Sequence, residues 1–179
     1  MAAQTLDELV NEHYGTKGLL DRILTAARDA GIVLDEARSD DFSPVSEFHI
    51  GGRRATIDLA KMAQLCVGDK VLDIGSGLGG PARTLVEQFD VQVEGIDLTH
   101  EFCVVANELT RMTGLSNQAK FFQGDALSLP RDPNTYDVVW TQQSCMNIED
   151  KRQMLSEVCR VLKPGGTYVF QEVLAGDQD

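Results

Sequence analysis

The spacing of apolar positions changes partway along the chain, and that change predicts its layout. Over residues 17–30 the apolar side chains Leu19, Leu20, Ile23, Leu24 and Ala27 recur at helical spacing, which makes one buried face, and Gly31 closes it. Upstream, Thr5 followed by Glu8 is a capping-box pattern, so a short helix is expected to start there and end near Tyr14. Residues 39–52 are polar, contain Ser43-Pro44 and read as a loop that carries Phe48-His49-Ile50-Gly51-Gly52. A further helix is predicted over 53–66.

From Lys70 onward, short β-rich apolar runs alternate with helical ones. Strands are predicted at 71–74, 91–96, 119–123, 136–141 and 167–173, with helices at 81–89, 100–113 and 151–162. Thr99 is placed to cap the second of these helices and Gly114 to close it; 124–135 reads as a polar loop. This alternation predicts an α/β fold, a parallel sheet wound on both faces, with ligands at the carboxyl ends of the strands. Residues 1–66 are expected to form an N-terminal helical lid, and 67–179 the core of a single domain.

The core opens with Lys-Val-Leu-Asp-Ile-Gly-Ser-Gly-Leu-Gly-Gly at 70–80. A glycine-rich turn between strand and helix lets the backbone bend sharply and lie against a ligand, and a helix N-terminus supplies amide donors. Three readings of the turn stand open. Gly75-x-Gly77-x-Gly79 suits S-adenosylmethionine (SAM), Gly75-x-Gly77-x-x-Gly80 suits a dinucleotide, and the turn could be purely structural. Asp73 favours the first, since a carboxylate there repels a pyrophosphate and suits the ammonium of a methionine moiety. No P-loop pattern is present.

The later strand ends carry matching chemistry. Asp97, 22 residues beyond Gly75, is placed to accept both ribose hydroxyls. After the third strand come Gly124, Asp125 and Ala126, where Asp125 could accept an adenine amino group while Leu98 and Ala126 sandwich the ring. Thr141 and Gln142 end the fourth strand and could hold the methionine part, with Ser76 in the turn itself. Any one carboxylate reads equally as a cap or a loop residue; together they read as a site.

Composition narrows the partners. A net charge of −12 disfavours nucleic acid, whose phosphates need a basic face, and is compatible with a sulfonium or with simple solubility. Cys66, Cys103, Cys145 and Cys159 lie far apart, so neither a metal site nor disulfides are expected, and Cys66, Cys103 and Cys159 are expected in the core. The N-terminus has no signal-peptide pattern and no apolar run is long enough to span a membrane; a cytoplasmic protein without membrane contact is expected.

The motifs at 72–80, 95–97, 124–126, 136–139 and Leu162-Lys163-Pro164-Gly165-Gly166 resemble those of class I SAM-dependent methyltransferases over roughly 67–173. Phe48-His49-x-Gly51-Gly52-x-x-Ala55-Thr56, the run 79–85, 97–103 and Met146-Asn147-Ile148 further resemble the sarcosine/dimethylglycine N-methyltransferase-like branch. The resemblance implies a Rossmann-like sheet of the class I type. It also implies that Asp73, Gly75, Gly77 and Gly79 wrap the methionine part, with segments around Tyr14 and His49 folded over the cofactor. S-adenosylhomocysteine would be the product, and the acceptor a small molecule, such as an amine or amino acid. Tyr14 could offer its ring to a cation or pack between helices; His49 could be a base or a structural residue. Arg53, Arg54 and Lys17 are candidates to hold an acceptor carboxylate. The chain stops after the fifth strand, where the class continues with a helix and two strands, so that strand's edge is expected to pair in a homodimer. Rival readings are a SAM-binding module without turnover, a carbon or lipid methyltransferase, and a nicotinamide-dependent dehydrogenase.

Overall fold

Five strands pair side by side, all parallel, in the order β3-β2-β1-β4-β5. They are β1 (Lys70–Ile74), β2 (Gln92–Asp97), β3 (Ala119–Gln123), β4 (Tyr136–Gln142) and β5 (Leu162–Gln171). The computed structural model describes residues 18–173. The expected helix near Thr5, together with Tyr14 and Lys17, lies outside them. β1 sits at the centre, and four of its five residues are buried, as expected of a parallel strand covered on both faces. The strand order reverses between β1 and β4, so the crevice for a ligand opens there.

Strand alternation divides the core. Val71, Val93, Phe121, Val138 and Trp140 face three helices, α3 (Gly52–Ala63), α4 (Gly80–Phe89) and α5 (His100–Met112). Leu72, Ile74, Ile96 and Val139 face α6 (Lys151–Val161) on the opposite side. The first helix among the described residues, α1 (Leu19–Asp29), brings Ile23 and Ala27 against Leu78, Val105 and Leu109, with Phe42 completing this cluster. Arg83 of α4 is fully buried and donates to the Leu78 carbonyl and to Thr110 Oγ1, tying the glycine turn to α5. Burial pulls its guanidinium down to about 10.

Several expectations need correction. The 39–52 loop contains a 3-10 turn at Ser39–Phe42 and one helical turn, α2 (Ser43–Ser46), with Pro44 in its first turn, where a missing N–H costs nothing. α3 ends at Ala63, because Gln64 turns left-handed at φ 55°. Thr99 occupies the N-cap of α5 but makes no side-chain cap; its own amide is held by Asp97 Oδ1 at 2.9 Å. β5 begins at Leu162, five residues before the expected start, and meets β4 through a register shift near Tyr136 and Val138. Cys66 and Cys159 are exposed, and only Cys103 and Cys145 are buried. Cys66 lies past the end of α3, and Cys159 lies off the inner face of α6 set by Met154, Val158 and Val161.

Gly95 stands opposite Phe121 in the β2–β3 register. A Cβ there would come within 2.7 Å of the Phe121 ring and 2.8 Å of Ser76 Cβ. Gly95→Ala should therefore destabilise the fold by about 1–3 kcal/mol, and adding Phe121→Leu should recover part of the loss. Chemical denaturation of both variants checks this, and a double mutant no more stable than the single one would contradict it.

Candidate functional site

The carboxyl ends of β1, β2, β3 and β4 enclose a cavity of about 560 Å3, a size usual for small-molecule sites. Its floor is the glycine turn. Gly75 and Gly77 have φ of 74° and 52°, a region open to residues without Cβ. A Cβ on Gly75 would collide with the side chain of Ser144, whose hydroxyl donates to the Ile74 carbonyl at 2.8 Å.

The amides of this turn are used inside the protein. Those of Gly75 and Ser76 donate to the Ile96 carbonyl, and that of Gly79 donates to the Ser76 carbonyl. The Gly77 amide donates to Asp97 Oδ2 at 2.8 Å. The expected cradle of ligand-facing donors is therefore not formed by these four residues. A pyrophosphate would meet the Asp97 carboxylate where it needs donors, which disfavours the dinucleotide reading.

Of the residues expected in the site, Gly75, Ser76, Gly77, Asp97 and Leu98 lie on the cavity wall. So do Gly124, Asp125, Ala126, Gln142 and His49. Asp73, Gly79 and Thr141 do not. Asp73 is buried beneath the turn, Gly79 is the N-cap of α4 with the Phe121 ring against it, and Thr141 points the other way, to Tyr168 Oη at 2.9 Å. Successive residues of β4 face opposite sides, so only Gln142 of that pair reaches the cavity.

The carboxylates differ in kind. Asp73 is the most deeply buried, and its Oδ2 has no hydrogen-bond partner. Burial, with the charges of Asp97 and Glu47 nearby, pushes it up to about 7. Asp97 is raised by burial, partly offset by the amides of Thr99 and Gly77. Asp125 accepts the Leu127 amide at 2.8 Å. The orphaned Asp73 oxygen and the buried, unpartnered Ser76 hydroxyl fit a polar, cationic occupant of this end better than an anionic one.

A buried network that the sequence did not announce closes one side. Glu47 accepts from Thr84 Oγ1 at 2.7 Å, from Thr56 Oγ1 at 2.9 Å and from His49 Nε2 at 2.9 Å. Burial opposes its ionisation, but these hydrogen bonds outweigh that and hold its carboxyl below the usual range. Gln142 Nε2 reaches His49 Nδ1 at 3.2 Å and Gln171 Oε1 at 2.8 Å. With both ring nitrogens engaged, His49 is held as a wall residue. Arg53 is turned away to Glu87, Asp40 and Thr84, and Arg54 pairs with Asp58. Phe48, Phe102, Met146, Ile148 and Glu149 also line the cavity; the sequence signal for the first four was limited to the motifs at 48–56, 97–103 and 146–148, and Glu149 had none.

Comparison with known proteins bears directly on this arrangement. The family described as "Methyltransferase domain" matches residues 71–166. "Methyltransferase GfsG" of Streptomyces halstedii is 31% identical over 134 residues, covering 75% of this chain and 48% of that protein. The glycine/sarcosine/dimethylglycine N-methyltransferase of Actinopolyspora halophila is 30% identical over 149 residues, 83% of this chain and 25% of that one. A solved structure, Haemonchus contortus phosphoethanolamine N-methyltransferase 2 in complex with S-adenosyl-L-methionine, aligns with a TM-score of 0.66 at 29% identity. It covers 70% of this chain and 29% of its own. The chain thus spans about half the length of the first relative and a quarter of the second. Names of other relatives include carbon and oxygen methyltransferases.

Asp73 generates a pH prediction. Its folded-state pKa lies above the ordinary 3.8, so its contribution to stability is complete below 3.8 and is lost as pH rises through about 7. The unfolding free energy of the parent minus that of Asp73→Asn should therefore fall across that window in urea titrations. A difference independent of pH would refute the assignment.

Proposed function

Because the chain belongs to the methyltransferase-domain family, we propose that it holds S-adenosylmethionine in the strand-end cavity and methylates the nitrogen of a small-molecule amine. The observation that carries this reading is the convergence of Asp97, Asp125 and the Gly75–Gly77 turn on one cavity, with Leu98 and Ala126 beside the two carboxylates. Asp97 takes the ribose hydroxyls; each of its oxygens already accepts one amide, and a carboxylate oxygen can accept two hydrogen bonds. Asp125 takes the adenine amino group between Leu98 and Ala126. The Gly75–Gly77 turn borders the methionine part with its amides already used, the unpartnered Ser76 hydroxyl and Gln142 are the polar groups nearest it, Asp73 favours its ammonium from beneath the turn, and Gly79 serves the packing of the turn itself.

Bound there, the cofactor would supply a sulfonium methyl to an amine nitrogen, the new N–C bond replacing the C–S bond, whose electron pair would stay with sulfur as a neutral thioether while the amine's proton would go to water. The chain's own task is to align the acceptor and exclude water, and alignment alone can supply about 7–11 kcal/mol of a barrier. No base is required, in keeping with the engaged ring of His49. The branch resemblance supports nitrogen as acceptor. Among the described residues no helix is long and apolar enough to cross a membrane. Among the described residues no strand lies on the outer edge of β5, where Phe170 is exposed, which supports pairing with a second copy; a monodisperse monomer in solution scattering would count against that.

Calorimetric titration of SAM into the purified chain tests the central reading. Binding by the parent should weaken at least about tenfold in Asp97→Ala, the loss of one charged hydrogen-bond acceptor. Asp125→Ala, whose side chain is less tied to the turn, should weaken it similarly. Binding of a nicotinamide dinucleotide without binding of SAM would overturn the proposal.

A further inference from the structure

The cavity's remaining wall says what kind of acceptor it can take, given the methyl-transfer reading on which this inference rests. Phe48 and Met146 line the cavity yet remain 67% and 56% exposed. Ile148 stands on the same wall, and Phe102 lies with its ring 6.4 Å from that of Phe48. Phe48 and Met146 offer apolar surface that the protein's own core does not use, and Ile148 and Phe102 continue that surface from the core's edge, the lining expected of a pocket for an apolar ligand.

The charges on the wall are of one sign. Among the described residues, the carboxylates lining it are Asp97, Asp125 and Glu149, and no lysine or arginine lines it. Arg53 is held by Glu87 at 2.6 Å and by Asp40 at 3.5 Å, and Arg54 by Asp58 at 2.7 Å. Neither lines the cavity, where among the described residues a carboxylate on an amino-acid acceptor would face like charge. A cationic amine arriving at the same wall is attracted.

We propose that the methyl acceptor is an amine carried on an apolar body and bears no carboxylate, its body lying on Phe48 and Met146 and its amine approaching past Glu149. Sarcosine and dimethylglycine are disfavoured as acceptors on this ground.

The test uses the chain saturated with S-adenosylhomocysteine, titrated by calorimetry with N-methylphenethylamine and separately with sarcosine. The aromatic amine should bind at least about tenfold more tightly, the scale of discrimination that an apolar pocket provides. Phe48→Ala should shrink that ratio. Met146→Arg, which alters an exposed side chain and adds a cation, should shift the ratio towards sarcosine. Equal or tighter binding of sarcosine by the parent overturns the proposal, as does binding of S-adenosylhomocysteine with no binding of the aromatic amine. Failure of the parent to bind S-adenosylhomocysteine overturns the cofactor reading itself, and this inference with it.

Discussion

The architecture depends on places where a side chain is missing. Gly75 admits Ser144, Gly79 and Gly95 admit the same Phe121 ring, and Gly80 admits the backbone carbonyl of Ser46. Through these contacts β3, the loop after β4 and the segment before α3 all converge on one turn. A methyl group at these positions would push back Ser144, the Phe121 ring or the Ser46 carbonyl. The turn is therefore as much a packing hub as a ligand loop, and its amides are already spent on Ile96, Asp97 and Ser76.

Once the turn is fixed in this way, acidic groups gather around it. Asp97 is shared between structure and site: its two oxygens anchor Gly77 and the start of α5 while it faces the cavity. Asp73 bears the cost of burial without a hydrogen bond at Oδ2. Glu47 shows the opposite arrangement, with three donors for one buried carboxylate. The same type of group is thus left strained beneath the ligand site and fully satisfied beside it. This is the pattern expected when polar exceptions concentrate at function.

The sheet and most of its ligand wall were legible in the sequence, because parallel strands bring their carboxyl ends to one edge and the motif residues sit at those ends. β3 was readable to the residue. Thr141 was not separated from Gln142, although the buried Trp140 on the same face as Gln142 carried that information through strand alternation. Glu47 gave no signal, since its partners Thr56 and Thr84 lie 9 and 37 residues away and a lone glutamate in a polar loop reads as solvated. Arg53 looked available for the same reason: its ion partners Asp40 and Glu87 come from separate turns of the chain. Cys66 misled because helical spacing does not say where the helix ends, and Cys159 because it lies off the face that Met154, Val158 and Val161 set.

Gln142 has a consequence for the order in which the wall can be built. One amide nitrogen joins His49, 93 residues earlier in the chain, to Gln171, 29 residues later. During synthesis from the amino terminus, the segment carrying Glu47 and His49 emerges well before β4, and β5 emerges later still. Until both strands are in place, that segment lacks this anchor on the sheet. A side of the cavity made early by the ribosome is thus secured only after β4 and β5 have been made.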